Sequence, residues 1–226
     1  MTTYVMVHGA WHAGWAWDKV APVLRERGHE VLTPDLPAAP GTTLAEHVEA
    51  VRAAIASATG PVTAVAHSYA GVVVPEAVAR TEPGLVEAVV LVDGWLAAAD
   101  QSLLDVAPDW FGEWVRSNAT GLGMDAMLPA PPASTLGLED PQLVALVESR
   151  MTAQPLRTFM DKTTLTLDHP QLARHAIACQ PSVFPFADLA RAAGYEVHEI
   201  QSDHELMLSH PTEFLDLLAT FGPRTR

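Results

Sequence analysis

Apolar and polar positions divide the first part of the chain into two alternating patterns. Short runs of consecutive apolar residues are typical of strands buried on both faces, and they occur at 4–8, 30–36, 61–66 and 85–92. Between these runs, apolar residues recur at helical spacing in 17–27, 44–57 and 72–80. Strands that alternate with helices at this spacing predict an α/β fold with a mostly parallel sheet and helices on both faces.

The alternation stops between residues 97 and 168, where we expect helices and loops and no strand. It resumes with strands predicted at 175–179 and 195–200 and a closing helix at 211–221. We therefore predict a core of residues 1–96 and 169–226 and a small helical cap of residues 97–168. Such a cap lies over the carboxyl ends of the strands, where open α/β sheets place their sites. Ordinary packing of these helices on a sheet face is the alternative.

Charge and cysteine content exclude several classes of partner. The chain has 226 residues and a formal net charge of −14, from 13 basic and 27 acidic side chains, so a nucleic-acid partner is not expected. No tract of about 18 consecutive apolar residues is present, and no membrane span is expected. The N-terminus lacks the basic segment of a secretory signal, and the single cysteine, Cys179, is expected in the core; both favour the cytoplasm. The oligomeric state stays open, a homodimer included.

One serine stands where the third predicted strand meets the following helix, in Ala66-His67-Ser68-Tyr69-Ala70-Gly71. A serine at such a turn has a strained backbone that exposes its hydroxyl above the sheet edge. The usual pattern is Gly-x-Ser-x-Gly, and here Ala66 and Ala70 supply the small residues. We therefore predict that Ser68 is a nucleophile.

A serine hydroxyl needs a base within hydrogen-bonding reach, and the best candidate is His204. It follows the last predicted strand and precedes the closing helix, so its loop returns to the sheet edge that carries Ser68. His210 is the main rival. The remaining histidines considered are expected to be structural: His8 as a hydrogen-bonding residue, His67 in packing, and His29, His47 and His198 on the surface or in strands.

Ester hydrolysis passes through an oxyanion that needs preorganised N–H donors. The backbone N–H of Tyr69, directly after the nucleophile, is one predicted donor. The other is the N–H of Ala10, in the loop after the first strand, where Gly9 lets the backbone come close. Side chains of this loop and of the cap are expected to contact the substrate, namely Trp11, His12, Trp110, Trp114, Met124 and Met127.

Several segments carry a family resemblance. Residues 8–17, His-Gly-Ala-Trp-His-Ala-Gly-Trp-Ala-Trp, resemble the N-terminal signature of the plant methylesterase and hydroxynitrile lyase branch of the α/β-hydrolases and its bacterial esterase relatives. Residues 28–31 with 35–36 are similar to its next stretch, and 66–71 and 203–211 to its nucleophile and histidine motifs. The resemblance implies the α/β-hydrolase fold and a serine hydrolase of esterase type, with a catalytic triad.

The resemblance also implies an aspartate in the loop after the strand that follows the cap, and here this chain departs from it. That loop, residues 180–186, contains no carboxylate. Asp93, at the end of the strand after the Ser68 helix, is the preferred acid, since some lipases and dehalogenases of the same fold place theirs there. Asp188, expected in a helix, is a second candidate, and the absence of a functional acid is the third possibility.

These residues favour a serine-dependent carboxylesterase or lactonase that acts on a small to medium, largely apolar ester through an acyl-enzyme on Ser68. A lyase, cyclase or elimination catalyst with His204 as base is the second hypothesis. Against it, Gly9 and Glu205 stand where cyanohydrin cleavage in this branch is associated with threonine and lysine. A non-catalytic ligand-binding relative is the third hypothesis. Since metal and phosphate motifs are lacking, we expect no cofactor and a small-molecule substrate as partner.

Overall fold

The computed structural model describes residues 1–221, and its main sheet has six strands. The strands of the chain are β1 (Thr3–Val7), β2 (Glu30–Leu32), β3 (Val62–His67), β4 (Val86–Val92), β5 (Met127–Leu128), β6 (Gln154–Pro155), β7 (Ala173–Gln180) and β8 (Glu196–Gln201). The order across the main sheet is β2-β1-β3-β4-β7-β8, and each neighbouring pair is parallel. The predicted α/β class is confirmed, and the carboxyl ends of these six strands share one edge. Residues 222–226 of the predicted core lie outside the described range.

The helices occupy both sides of the sheet and the long connection between β4 and β7. They are α1 (Ala21–Glu26), α2 (Leu44–Ala56), α3 (Ala70–Ala79), α4 (Leu103–Val106), α5 (Asp109–Asn118), α6 (Pro141–Arg150), α7 (Arg157–Met160), α8 (Phe186–Ala192), α9 (Leu206–Ser209) and α10 (Pro211–Thr220). Among the described residues, none of these helices has the length and apolar character that a bilayer crossing requires.

The helix predicted over 17–27 begins later than expected. Pro22 stands in the first turn of α1, the one part of a helix where a residue without an N–H fits. The preceding residues form a separate 3₁₀ turn, Gly14–Trp17. The predicted single helix is therefore wrong in its first turn, and proline is the reason.

Two apolar layers cover the faces of the sheet. Val5 and Val7 of β1 belong to the layer formed with α2 and α3, whereas Tyr4 and Met6 belong to the layer formed with α1 and α10. This division follows from the period of two in a strand, which sends successive side chains to opposite faces. Strands buried on both sides keep the carboxyl edge fixed, and the loops at that edge are positioned by it.

The connection between β4 and β7 contains α4 to α7 and the antiparallel pair β5–β6, in which Leu128 pairs with Gln154. The expectation that this stretch has no strand is wrong, because strands of two residues leave no readable pattern. Trp11, in the loop after β1, donates from Nε1 to the carbonyl of Leu128 at 3.1 Å. This contact with a carboxyl-end loop supports the proposal that residues 97–168 form a cap.

Candidate active site

Ser68 occupies the turn between β3 and α3, and its φ of 52° lies in the left-handed region that non-glycine residues seldom adopt. Its N–H donates to the carbonyl of Val92 at 3.0 Å. Its carbonyl accepts hydrogen bonds from the N–H groups of Gly71 and Trp95, both at 3.1 Å. These hydrogen bonds hold the strained turn against the end of β4 and the loop that follows it. Backbone strain of this kind is typical of functional sites.

Small residues allow this close packing. Ala66 and Ala70 are completely buried on either side of the serine. A Cβ atom on Gly71 would lie 2.1 Å from the carbonyl oxygen of Trp95. A Cβ atom on Gly9 would lie 2.9 Å from Cβ of Ser68, so the loop after β1 approaches the serine as closely as the backbone permits. Larger side chains at these positions would displace the turn.

His204 lies between β8 and α9, and its ring is held by an acid. Nδ1 of His204 is 2.6 Å from Oδ2 of Asp93. The His204 segment is also fixed through its backbone, because its N–H donates to the carbonyl of Leu136 at 3.0 Å and its carbonyl accepts from Nε2 of His67 at 3.0 Å. The ring of Phe186 stacks on the imidazole at a centroid distance of 5.7 Å.

Asp93 is the first residue after β4, and it also has a left-handed backbone, with φ of 43°. Its N–H donates to the carbonyl of Ile177 at 2.8 Å, and its Oδ1 accepts from the N–H of Cys179 at 2.9 Å. Both contacts are made to β7, the strand beside β4. One carboxylate oxygen is thus anchored to the sheet while the other meets His204, and the side chain is buried.

The rival acid and the rival base lie elsewhere. The Asp188 side chain, in α8, is 84% exposed and pairs with Arg191 at 3.3 Å. His210 does not line the cavity that Ser68 and His204 share, and its Nδ1 contacts the hydroxyl groups of Ser209 and Ser202. The geometry therefore favours Asp93 and His204 over both alternatives.

Two opposing effects set the pKa of His204. Burial alone would lower it, but the hydrogen bond to Asp93 and its negative charge outweigh burial, with smaller contributions from Glu205 and Asp203. The net result is a pKa above the ordinary value. Because Nδ1 donates to the carboxylate, Nε2 of the neutral ring is left as a proton acceptor. Among the described residues no hydrogen bond joins this ring to the Ser68 hydroxyl, although both line one cavity.

That cavity has a volume of about 490 Å³, and Ser68, Asp93 and His204 form part of its wall. Most of the rest of its lining is apolar, a composition typical of small-molecule sites. Its aromatic side chains include Trp11, Trp95, Trp110, Phe111, Trp114 and Phe184. The site can therefore accept an uncharged, largely apolar molecule beside a serine–histidine–aspartate group.

Three of the six predicted substrate contacts lie on this wall: Trp11, Trp110 and Trp114. The structure does not place His12, Met124 or Met127 there. His12 turns into the protein, where its Nδ1 contacts the carbonyl of Ala10 at 2.7 Å. Met124 lies in a 3₁₀ turn with 59% of its surface exposed, and Met127 lies in the β5–β6 pair. Neither methionine lines the cavity, contrary to the prediction that both contact the substrate.

Sequence reasoning missed Trp95, Phe184 and Phe186, which contribute to the cavity wall. Trp95 comes two residues after Asp93, and the two phenylalanines lie in the segment considered above only for its lack of a carboxylate. A signal was available, because aromatic residues directly after the strands of a parallel sheet lie at the edge that carries the site.

The two predicted oxyanion donors belong to buried residues, Ala10 and Tyr69. Neither backbone N–H has a hydrogen-bond partner among residues 1–221. Tyr69 directly follows the nucleophile, and Ala10 directly follows the glycine that approaches Ser68. Neither residue is among the lining residues of the cavity, and their role as oxyanion donors stays a prediction.

Two other buried histidines make structural hydrogen bonds. Burial lowers the pKa of His8 to about 4, and its Nε2 accepts from the N–H of Leu36 at 3.0 Å, as predicted for a hydrogen-bonding residue. His47 was expected on the surface or in a strand, and this is wrong. It is buried in α2, where its Nδ1 accepts from the Tyr69 hydroxyl at 2.9 Å and its Nε2 donates to the carbonyl of Pro37 at 2.7 Å.

Two groups of described side chains bring three potential metal ligands within 4.8 Å of one another. The first is His67, His204 and Glu205, of which His204 also contacts Asp93. The second is His175, Glu196 and His198 on β7 and β8, none of which lines the cavity.

Comparison with known proteins agrees with this geometry. The sequence model described as the Alpha/beta hydrolase family matches residues 4–217. A carbendazim-hydrolysing esterase of Nocardioides sp. is 28% identical over 98% of this chain and 100% of that protein. Methyl jasmonate esterase 1 of Vitis vinifera is 34% identical over 46% of this chain and 43% of its own.

Solved structures show the same fold. An extracellular α/β-hydrolase from a Paenibacillus species superimposes with a TM-score of 0.83 at 18% identity and covers 100% of both chains. Its description notes homology to tobacco salicylic acid-binding protein 2. The resemblance to plant methylesterases and their bacterial relatives is confirmed by these matches.

Proposed function

Because this chain belongs to the alpha/beta hydrolase family and is an esterase-like hydrolase, we propose that it is a serine-dependent carboxylesterase or lactonase. The observation that carries this proposal is the 2.6 Å contact between His204 and Asp93 on the wall of the cavity that also exposes Ser68. A nucleophile, a base and an acid that orients the base are the parts that serine hydrolysis needs.

The first half of the reaction forms an acyl-enzyme. Nε2 of His204 accepts the proton of Ser68 Oγ, which attacks the ester carbonyl carbon. The carbonyl oxygen becomes an oxyanion that accepts hydrogen bonds from the N–H groups of Ala10 and Tyr69. The bond to the alcohol oxygen then breaks, and His204 returns the proton to that oxygen.

The second half releases the acid. His204 accepts a proton from a water molecule, whose oxygen attacks the acyl carbon, and the proton passes to Ser68 Oγ as its bond to the acyl group breaks. Asp93 stabilises the imidazolium that forms in both halves and keeps Nδ1 as the donor. These steps need no cofactor.

The lining of the cavity supports an uncharged substrate of small to medium size with aromatic or other apolar groups. Trp11, Trp114 and Phe184 offer ring faces and edges on which a flat group can pack. The acidic groups on the wall are Asp93 and Asp203, and among the described residues no lysine or arginine lines it. The site therefore has no cation dedicated to an anionic substrate. Neutral esters and lactones with an aryl or alkyl body are the proposed class.

The proposal is tested with an aryl ester whose alcohol is coloured. The wild-type protein should release a burst of alcohol equal to the enzyme concentration, and Ser68→Ala should lose both the burst and about 10³-fold or more of the turnover. Ser134→Ala is the matched control, because Ser134 also lines the cavity and among the described residues has no hydrogen bond to His204. It should keep turnover within about threefold. Turnover by Ser68→Ala at the wild-type rate would refute the proposal.

The second hypothesis, a lyase, cyclase or elimination catalyst, also uses His204 as its base, so the contact with Asp93 does not by itself separate it from hydrolysis. Glu205, at the position where cyanohydrin cleavage is associated with lysine, is fully buried and does not line the cavity. Turnover in ¹⁸O-labelled water separates the two functions. Hydrolysis puts one labelled oxygen into the acid product, whereas elimination or cyclisation leaves the product unlabelled. A bound molecule recovered intact would instead indicate the ligand-binding alternative.

A further inference from the structure

Glu205 directly follows His204, yet its side chain is fully buried. Among the described residues neither of its carboxylate oxygens makes a hydrogen bond. Its nearest partner is the His12 ring, whose Nε2 lies 3.4 Å from Oε1. A buried carboxylate without a compensating partner is strongly unfavourable. We therefore expect either a proton on Glu205 or a positive charge on His12.

The other ring nitrogen of His12 settles how many protons the pair holds. Nδ1 lies 2.7 Å from the carbonyl oxygen of Ala10, and a carbonyl can only accept, so Nδ1 carries a hydrogen. Nε2 of a neutral ring would then direct a lone pair at the Glu205 carboxylate. Two acceptors at 3.4 Å repel each other, so one further proton lies between His12 and Glu205, on one or the other.

The Ala10 carbonyl belongs to a peptide that is held from both sides. Its N–H, contributed by Trp11, donates to Oε1 of Gln154 at 3.2 Å. Gln154 is itself fixed, because its amide donates to the hydroxyl of Thr158 at 2.7 Å. Trp11 has a φ of 65°, so these contacts hold a left-handed conformation directly beside Ala10.

We propose that His12 and Glu205 form a protonated link that positions the loop after β1 so that the N–H of Ala10 points at the oxyanion. Glu205 lies next to His204 in the chain, and the link therefore fixes the donor relative to the base. This inference rests on the proposed function, which makes Ala10 an oxyanion donor. His12 and Glu205 are positioning residues, since neither lines the cavity.

The test compares two variants that remove the same charge. In Glu205→Gln, the amide N–H can donate to Nε2 of His12, so kcat should stay within about threefold of the wild-type value. In Glu205→Leu the link is lost, so kcat should fall about 30-fold while KM changes less than about twofold. The reason is that a displaced Ala10 N–H would stabilise the oxyanion of the transition state less and would leave substrate binding nearly unchanged. The double variant E205L/H12F should lose no more than the larger single change. Equal losses in Glu205→Gln and Glu205→Leu, or an unchanged kcat in Glu205→Leu, would overturn the inference.

Gln154→Ala provides a second route if Glu205→Leu does not fold. It releases the same peptide from its other side, so kcat should again fall with little change in KM, and an unchanged kcat would count against the link. Nitrogen-15 NMR of the His12 ring gives a readout independent of turnover: Nδ1 should be protonated in the wild type and in Glu205→Gln. Turnover by Ser68→Ala at the wild-type rate would defeat the proposed function without changing the NMR readout, whereas a His12 ring without a proton on Nδ1 would defeat the link alone.

Discussion

The loops after β4 and β7 follow adjacent strands at the same edge of the sheet. The first contributes a carboxylate to the site and the second contributes aromatic side chains. The loop after β4 begins with Asp93, which bonds to His204. The loop after β7 has no carboxylate in residues 180–186, and it contributes Phe184 and Phe186 to the cavity wall. Because β4 and β7 are parallel neighbours, we expect an acid on either loop to reach the same imidazole. On this hypothesis the acid is placed by the sheet edge rather than by one particular loop.

The largest expected effect tests the loop after β4. Asp93→Asn keeps an oxygen for the N–H of Cys179 but can donate to His204, which favours the wrong tautomer. We expect kcat/KM to fall about 10⁴-fold with aryl esters. Asp188→Asn is the control and should stay within about twofold, because its side chain is exposed in α8. If kcat/KM fell about 10⁴-fold in Asp188→Asn and stayed unchanged in Asp93→Asn, Asp188 rather than Asp93 would be the acid.

A second experiment asks whether the loop after β7 can take over the acid. Ser182 lines the cavity in that loop, so Ser182→Asp in the Asp93→Asn background places a carboxylate at the same edge. We expect about 10-fold of kcat/KM to return, less than the full loss because the new side chain lacks the anchoring bonds of Asp93. The control is Ser182→Asn in the same background. Equal rates for these two double variants would show that the loops are not interchangeable.

A third experiment removes an aromatic wall. Phe184 stacks on Trp110 at 5.2 Å and contacts Trp95 at 5.0 Å. Phe184→Ala should raise KM for aryl esters about 10-fold and leave kcat within about twofold, because it removes binding shared by substrate and transition state. Val183→Ala, at an exposed neighbour on the cavity rim, should change KM much less. A fall in kcat with unchanged KM would mean that the loop acts on the reaction itself.

The smallest effect concerns pH. Asp93 holds the pKa of His204 above its ordinary value, and a protonated ring cannot accept the serine proton. The acid limb of kcat/KM should therefore lie above the ordinary histidine value of about 6.5 in the wild type and move to lower pH in Asp93→Asn, where burial is no longer outweighed. A limb that does not move would argue against the contact.

The same linkage predicts a stability effect of definite sign. A folded-state pKa above the unfolded value stabilises the protein fully below the unfolded pKa, and this stabilisation is lost as the pH rises through the folded value. Asp93→Asn should therefore reduce the free energy of unfolding more at about pH 5.5 than at about pH 9, as measured by urea denaturation.

Much of this site could be predicted from the sequence, because its signals are local. Ser68 follows a continuous apolar strand with small residues on either side, and His204 stands between the last strand and the closing helices. Asp93 could be preferred because it ends the strand after the Ser68 helix and because some lipases and dehalogenases of the same fold place their acid there. The predictions of Ser68 and His204 rested on chain order and on the rule that parallel strands end at one edge.

The errors concern side-chain direction and contacts that are distant in sequence. His47 looks like a polar helix residue, and only the packing of α2 against Tyr69 buries it. His12 lies in a loop beside the site, and its partner Glu205 is distant in sequence. The β5–β6 pair joins residues on either side of α6, and so little chain carries no periodic pattern. Tertiary packing decides all three, and a single sequence does not encode it locally.

The contact between Gly9 and Ser68 restricts how this protein could acquire a different chemistry. Threonine at position 9 is the residue that the family resemblance links to carbon–carbon bond cleavage, and its first side-chain atom would overlap both Ser68 and the ring of His67. Threonine at this position would therefore require the loop after β1 or its neighbours to shift. An evolutionary or laboratory path to a cyanohydrin-cleaving enzyme would accordingly need further changes that widen this gap.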